Sequence, residues 1–127
     1  MKRSGILNPA LAAGIARLGH QQIAMVVDAG MPLPAGAPIV DLSLILGVPR
    51  FTQVLDALLA ELVIEGCTIA SEAGNGVVHQ WISDRHLAPD FVSHEQLKHM
   101  LPAASLVVRT GEATPFANIA LRCGVAF

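Results

Sequence analysis

The sequence predicts one α/β domain over residues 1–127, with a mostly parallel or mixed sheet flanked by helices. Three observations predict it. Ile23–Val27 is an unbroken apolar run rich in β-branched residues, the pattern of a strand covered on both faces. Phe51, Val54, Leu55, Leu58, Leu59 and Leu62 form a wide stripe at helical spacing, as in a helix laid on a sheet. Strand-like and helix-like segments then alternate as β-α-β-α-β along the chain.

The elements follow in order. Met1 to Leu7 is a first strand or an ordered tail. Asn8 suits an N-cap and Pro9 a first helical position. Leu11, Ile15 and Leu18 share one helical face, and Gly19 fits the residue that ends the helix. His20 then lies just past a helix C-terminus, where carbonyl dipoles favour a protonated imidazole. After the buried run, Asp28 to Gly30 turns the chain, and Pro32 and Pro34 stiffen the exit. Ile39-Val40 reads as a short strand ending at Asp41, and Leu42 to Leu46 is ambiguous. Gly47 to Pro49 is a break, and Pro49 opens the second helix. Val63 to Ala70 reads as a strand and Glu72 to Gly76 as a turn. Val77 to Ile82 fits a short strand or part of a helix. Ser93 with Gln96 forms a capping box for a third helix reaching about Met100. Leu106 to Val108 is a strand, Arg109 to Pro115 a polar turn. Asn118 to Leu121 and Gly124 to Phe127 form a last strand or a pair.

Composition narrows the function classes. The 127 residues are 53% apolar and only 14% charged, with a mean hydropathy of +0.55. A domain of this size does not hide so large an apolar share alone, so a homo-oligomer is expected. A net charge of −2 with scattered basic residues argues against nucleic acid. The apolar runs are broken by Asp28, Asp41, Asp56, Glu61 and Glu65, well short of the ~20 residues a membrane-spanning helix needs. Asn8-Pro9 interrupts any signal-like core behind Lys2 and Arg3, so a cytoplasmic protein is expected. Cys67 and Cys123 stand alone in apolar settings and read as buried free thiols.

Candidate chemistry centres on the strand Ile23–Val27, bracketed by His20 and Asp28. A carboxylate at the C-terminal edge of a buried strand, before a Gly/Pro loop, is a common ligand position in α/β proteins. Read from the residues alone, the simpler account is preferred, in which His20 finishes a helix and Asp28 starts a turn. Five histidines raise metal binding, but His94-Glu95 lacks the second histidine of HExxH, since position 98 is Lys. His99 does not share a helical face with His94. No serine lies in a GxSxG elbow. His94, in a helix first turn, reads as solvated, and Asn118 as a turn residue satisfying backbone groups.

Taken together, several blocks resemble a known family. They are Met1 to Asn8, Arg17 to His20 (RLGH), Asp28 to Pro34 (DAGMPLP), Gly47 to Phe51, Ser93 to Gln96, Arg109 to Asn118 (RTGEATPFAN) and Cys123 to Phe127 (CGVAF). In this order, from end to end, they resemble the D-ribose pyranase family, related to the fucose mutarotases. The resemblance implies a cofactor-free, metal-free cytoplasmic enzyme that interconverts the β-pyranose and β-furanose forms of D-ribose. It implies a ring-shaped homodecamer of two stacked pentamers. It implies His20 as general acid, with Asp28, His94, Phe116, Ala117 and Asn118 binding the sugar. Phe116 departs from the family, which usually carries Tyr before Ala-Asn. Other readings are a mutarotase for fucose or another monosaccharide, or a non-catalytic sugar-binding subunit of an uptake system.

One geometric expectation comes from the residues themselves. If Gln22 to Val27 is extended at ~3.3 Å per residue, His20 and Asp28 lie on the order of 20 Å apart. They could then serve one sugar only across two subunits.

Overall fold

A computed structural model describes all residues, Met1–Phe127. The chain forms α1 (Pro9–Ala16), β1 (Ile23–Val27), β2 (Ile39–Asp41), α2 (Phe51–Leu59), β3 (Ile64–Ala70), α3 (Val77–Ser83), β4 (Asp90–Val92), α4 (His94–Met100), β5 (Leu106–Arg109) and β6 (Ile119–Cys123). Short 3₁₀ turns follow β3 and α4. The six strands make one mixed sheet in the order β2-β5-β1-β6-β3-β4. The pairs β2/β5, β5/β1 and β3/β4 are parallel, while β6 runs antiparallel to both β1 and β3. Five strands therefore point one way and β6 the other. The C-terminal ends of the five and the start of β6 share one edge of the sheet.

The burial of β1 explains its apolar sequence. Ala24 and Val26 belong to a core on one face, with Leu11 and Ile15 of α1, Phe51, Val54, Leu55 and Leu58 of α2, and Val78 and Ile82 of α3. Met25 and Val27 belong to a second core on the other face, with Leu97 of α4, Leu101 and Val107. A strand at the centre of the sheet with both faces covered has no polar face to show.

Local signals acted largely as their chemistry dictates. Asn8 caps α1, its Oδ1 accepting from Leu11 N at 2.9 Å. Ser93 caps α4, its Oγ accepting from Gln96 N, while Gln96 Oε1 accepts from Ser93 N. Val77–Ser83 is a helix, with Val78 and Ile82 four residues apart on its buried side.

Five points differ from the sequence reading. α1 stops at Ala16, short of Leu18. The left-handed residue that follows is Gln21 (φ +65°) rather than Gly19, because Gln21 N is captured by the Cys123 carbonyl of β6 at 2.7 Å. α2 starts at Phe51, after a cis Val48-Pro49 bond, instead of at Pro49. Asp90–Val92 is a strand that the sequence reading lacks: at three residues on the sheet edge, it carries no periodicity. Gly124 to Phe127 forms no strand.

Candidate active site

The candidate residues fall into two groups at opposite edges of the sheet. At the edge where β1, β3, β4 and β5 end, the loops bring Asp28, Glu72, His94, Thr110 to Pro115 and Phe116 to Asn118 to one side of the molecule. At the other edge are His20, Glu65 and the end of β6.

Asp28 is fixed from two directions. Asn118 is fully buried. Its Oδ1 accepts from Asp28 N at 2.8 Å, and its Nδ2 donates to Asp28 Oδ2 at 2.8 Å. The second carboxylate oxygen, Oδ1, accepts from Gly30 N at 3.0 Å and closes an Asx turn. Asn118 is thus no ordinary turn residue, since its amide spans ninety positions of sequence to hold one carboxylate.

Phe116 and His94 form a second pair, edge to face with ring centroids 5.1 Å apart. Phe116 adopts φ +62°, a left-handed backbone that aromatic residues rarely take. Ala117, fully buried, joins this pair to Asn118. His94 N donates to Glu72 Oε2 at 2.8 Å. The Nδ1 of His94 is buried without a partner inside the chain. A buried ring nitrogen without a protein partner is open to a hydrogen bond from a group entering the site.

Beside Asp28 opens a hollow of about 370 Å³, lined among others by Gly30, Leu46, Glu112, Thr114 and Pro115. Glu112 is buried, and its carboxylate ties this wall together. One oxygen accepts from Phe51 N at 3.1 Å and faces Arg50 Nε at 3.5 Å. The other accepts from Thr114 N and Oγ1 at 3.2 and 2.9 Å. Burial pushes the Glu112 carboxyl up, but these donors and the Arg50 charge outweigh it and hold it below its ordinary value. The Glu112 carbonyl also accepts from Ala29 N at 2.9 Å, next to Asp28.

His20 lines a different hollow, of about 480 Å³, with Leu18, Leu62, Val63, Val125 and Phe127. It is exposed, and its Nε2 lies 3.1 Å from Glu65 Oε2. His20 lies three residues beyond the C-cap of α1, Arg17, so Glu65 rather than a helix dipole is its electrostatic neighbour. The structure brings Asp28 to Asn118 and His94 to Phe116, and leaves His20 at the far edge.

Sequence reasoning missed Glu65, Glu72 and Glu112 as site residues. A signal existed for Glu65, the one charged residue of its strand. Cys67 and Cys123 are buried free thiols, and burial pushes both up from the ordinary thiol range. No helix is long and apolar enough to cross a membrane.

The chain as a whole is similar to known proteins. The chain is 52% identical to a D-ribose pyranase of Cutibacterium acnes and 50% identical to one of Streptomyces avermitilis, each match covering both chains completely. The solved structure of Bacillus subtilis RbsD complexed with D-ribose superposes with a TM-score of 0.92, at 37% identity and full coverage of both chains. The fucose mutarotase of Streptococcus pneumoniae in complex with L-fucose shares the fold, with a TM-score of 0.76 at 20% identity over 95% of each chain. A family model matches residues 1–126, and the chain belongs to the RbsD / FucU transport protein family.

Proposed function

We propose that this chain is an intramolecular isomerase of the D-ribose pyranase type. It interconverts β-D-ribopyranose and β-D-ribofuranose and so supplies ribose for phosphorylation. One observation carries this reading: identity of about half, over complete chains, to proteins named D-ribose pyranase.

The geometry supports it in detail. Opening a pyranose removes the anomeric hydroxyl proton, breaks the bond from C1 to the ring oxygen and protonates that oxygen. The open-chain aldehyde then rotates. The C4 hydroxyl adds to C1, loses its proton, and the carbonyl oxygen is protonated. Protons given and taken balance, so the step needs a proton shuttle working near neutral pH. We assign that role to His20. Asp28 is held rigidly by Asn118 and offers acceptor capacity to sugar hydroxyls. His94 brings its unpartnered Nδ1, and Phe116 and Ala117 shape the adjacent wall. Phe116 keeps a ring for stacking on a sugar face while lacking the phenol that relatives of this type usually carry.

Because His20 and Asp28 occupy opposite sheet edges, we propose sites built between neighbouring subunits of a cytoplasmic ring, a decamer of two pentamers. Support comes from an exposed apolar flap beside the Asp28 hollow. Leu44, Ile45 and Leu46 are 76, 65 and 77% exposed. A patch of that kind marks a surface that another chain covers.

Saturation-transfer proton NMR on equilibrated D-ribose tests the reading. Added protein should accelerate exchange between pyranose and furanose anomeric signals, and His20→Ala should abolish the effect. No acceleration with ribose, but acceleration with L-fucose, would assign the chain to the other branch of the family.

A further inference from the structure

The strand opposite His20 is irregular at one point. Ile64 pairs with Cys123 and Gly66 with Arg122, so Glu65 is an extra residue on β3 with no partner on β6. A β-bulge of this kind re-aims a side chain. Here it turns the Glu65 carboxylate to His20, with Oε2 3.1 Å from Nε2. The other oxygen, Oε1, accepts from Arg122 Nε at 3.1 Å. Gly66 makes room for that contact: a Cβ there would lie 2.6 Å from Arg122 Nη2 and 3.1 Å from its Cζ. Bulge, glycine and arginine together fix both oxygens of one carboxylate.

We propose that Glu65 is the positioning residue of His20. It holds the proton of the neutral imidazole on Nε2 and leaves Nδ1 as the nitrogen that exchanges protons with the sugar. The proposal deepens the assignment of His20 as proton shuttle and rests on it. The direction of the bond follows from donor inventory. A carboxylate has no proton to give near neutral pH, so the ring must donate from Nε2. A carboxylate that fixes tautomer and ring orientation is the arrangement by which other histidine acid/base catalysts are held ready. The other ionisable groups nearby are Glu61, which lines the same hollow and accepts from Ile6 N at 2.7 Å, and the buried Cys123 thiol. Neither is bonded to the ring.

Substitution of Glu65 by glutamine gives a sharp test. Arg122 can only donate, so it keeps the amide oxygen that Glu65→Gln introduces and turns the amide NH₂ toward His20. Nε2 must then accept, and the neutral ring shifts to the Nδ1–H form. Ring-¹⁵N-labelled histidine in the assembled protein reads this directly, with His20 signals assigned by their loss in His20→Ala. The expected wild-type ring is Nε2–H, and Glu65→Gln moves it to Nδ1–H. The same substitution should lower kcat for pyranose–furanose exchange about 10- to 100-fold, part of what a positioned acid/base supplies, with KM nearly unchanged. An Nδ1–H ring in the wild type, or an unchanged kcat in Glu65→Gln, overturns the proposal. Should Glu65→Gln fail to assemble, the wild-type spectrum still decides. A wild-type protein silent on every sugar would defeat the isomerase reading, while the tautomer would still say whether Glu65 holds the ring.

Discussion

Asn118 satisfies a backbone N–H and a carboxylate with one buried amide, and each of its two atoms has a fixed role. Asn118→Asp keeps the acceptor for Asp28 N but sets a second carboxylate against Asp28 Oδ2. Two like charges in one buried corner cannot both ionise freely. We expect a loss of about 1–3 kcal/mol in urea denaturation and a large rise in KM for ribose. Wild-type KM and stability in this variant would show that the amide does not set the Asp28 geometry. Glu112 makes a pH-dependent contribution. Its carboxyl is held below the ordinary 4.5 in the folded chain. The stability it supplies is present above that value and is lost as pH falls through the lower, folded value. Glu112→Gln removes the titration and leaves one donor facing another. Its deficit against wild type should be largest at neutral pH, about 1–3 kcal/mol, and should shrink below about pH 4.5. Urea midpoints measured across that range check it, and a constant gap would refute the linkage.

The flap from Leu44 to Pro49 is carried by backbone contacts to the loop after β5. Gly47 N donates to the Gly111 carbonyl at 2.6 Å, and Gly111 N donates to the Pro49 carbonyl at 2.9 Å. A Cβ on Gly111 would lie 2.2 Å from the Val48 carbonyl oxygen, a backbone atom that no rotamer change can move. Gly111→Ala should therefore cost about 1–3 kcal/mol, comparable to overpacking a core. It should also raise KM, because Leu46 of the flap lines the Asp28 hollow. Thermal melts and ribose titrations together test this; a neutral substitution would mean the flap is free to shift. Much at this scale was legible in the sequence. The double burial of β1, the caps at Asn8 and Ser93 and the stripe of α2 are written in local residue choice, and local chemistry decided them. The end of α1 and the bulge within β3 were not legible, because distant partners set them: Cys123 captures Gln21, and β6 imposes the bulge at Glu65. The same holds for the site. His20 and Asp28 flank a readable strand, whereas the roles of Glu65, Glu72 and Glu112 arise from contacts 22 to 61 positions apart.

The whole molecule places one half of the proposed site at each edge of one sheet. The β1 strand that separates them is five residues long, which with its flanks puts His20 and Asp28 on the order of 20 Å apart at ~3.3 Å per residue. A ribose molecule cannot span that gap, so the proposed shuttle and the proposed sugar clamp work together only across a subunit contact. Head-to-tail contacts of this kind, repeated, close into rings. The consequence can be tested without a structure of the assembly. His20→Ala and Asp28→Ala should each be inactive alone. Dissociated, mixed in equal amounts and reassembled, they should form rings in which about one contact in four joins an intact His20 to an intact Asp28, for head-to-tail interfaces filled at random. Exchange activity should return to about a quarter of wild type in the same NMR assay, a level fixed by the counting of interfaces. If each protomer instead carried a complete site, no mixture of the two variants would recover activity, because every site would lack one residue or the other.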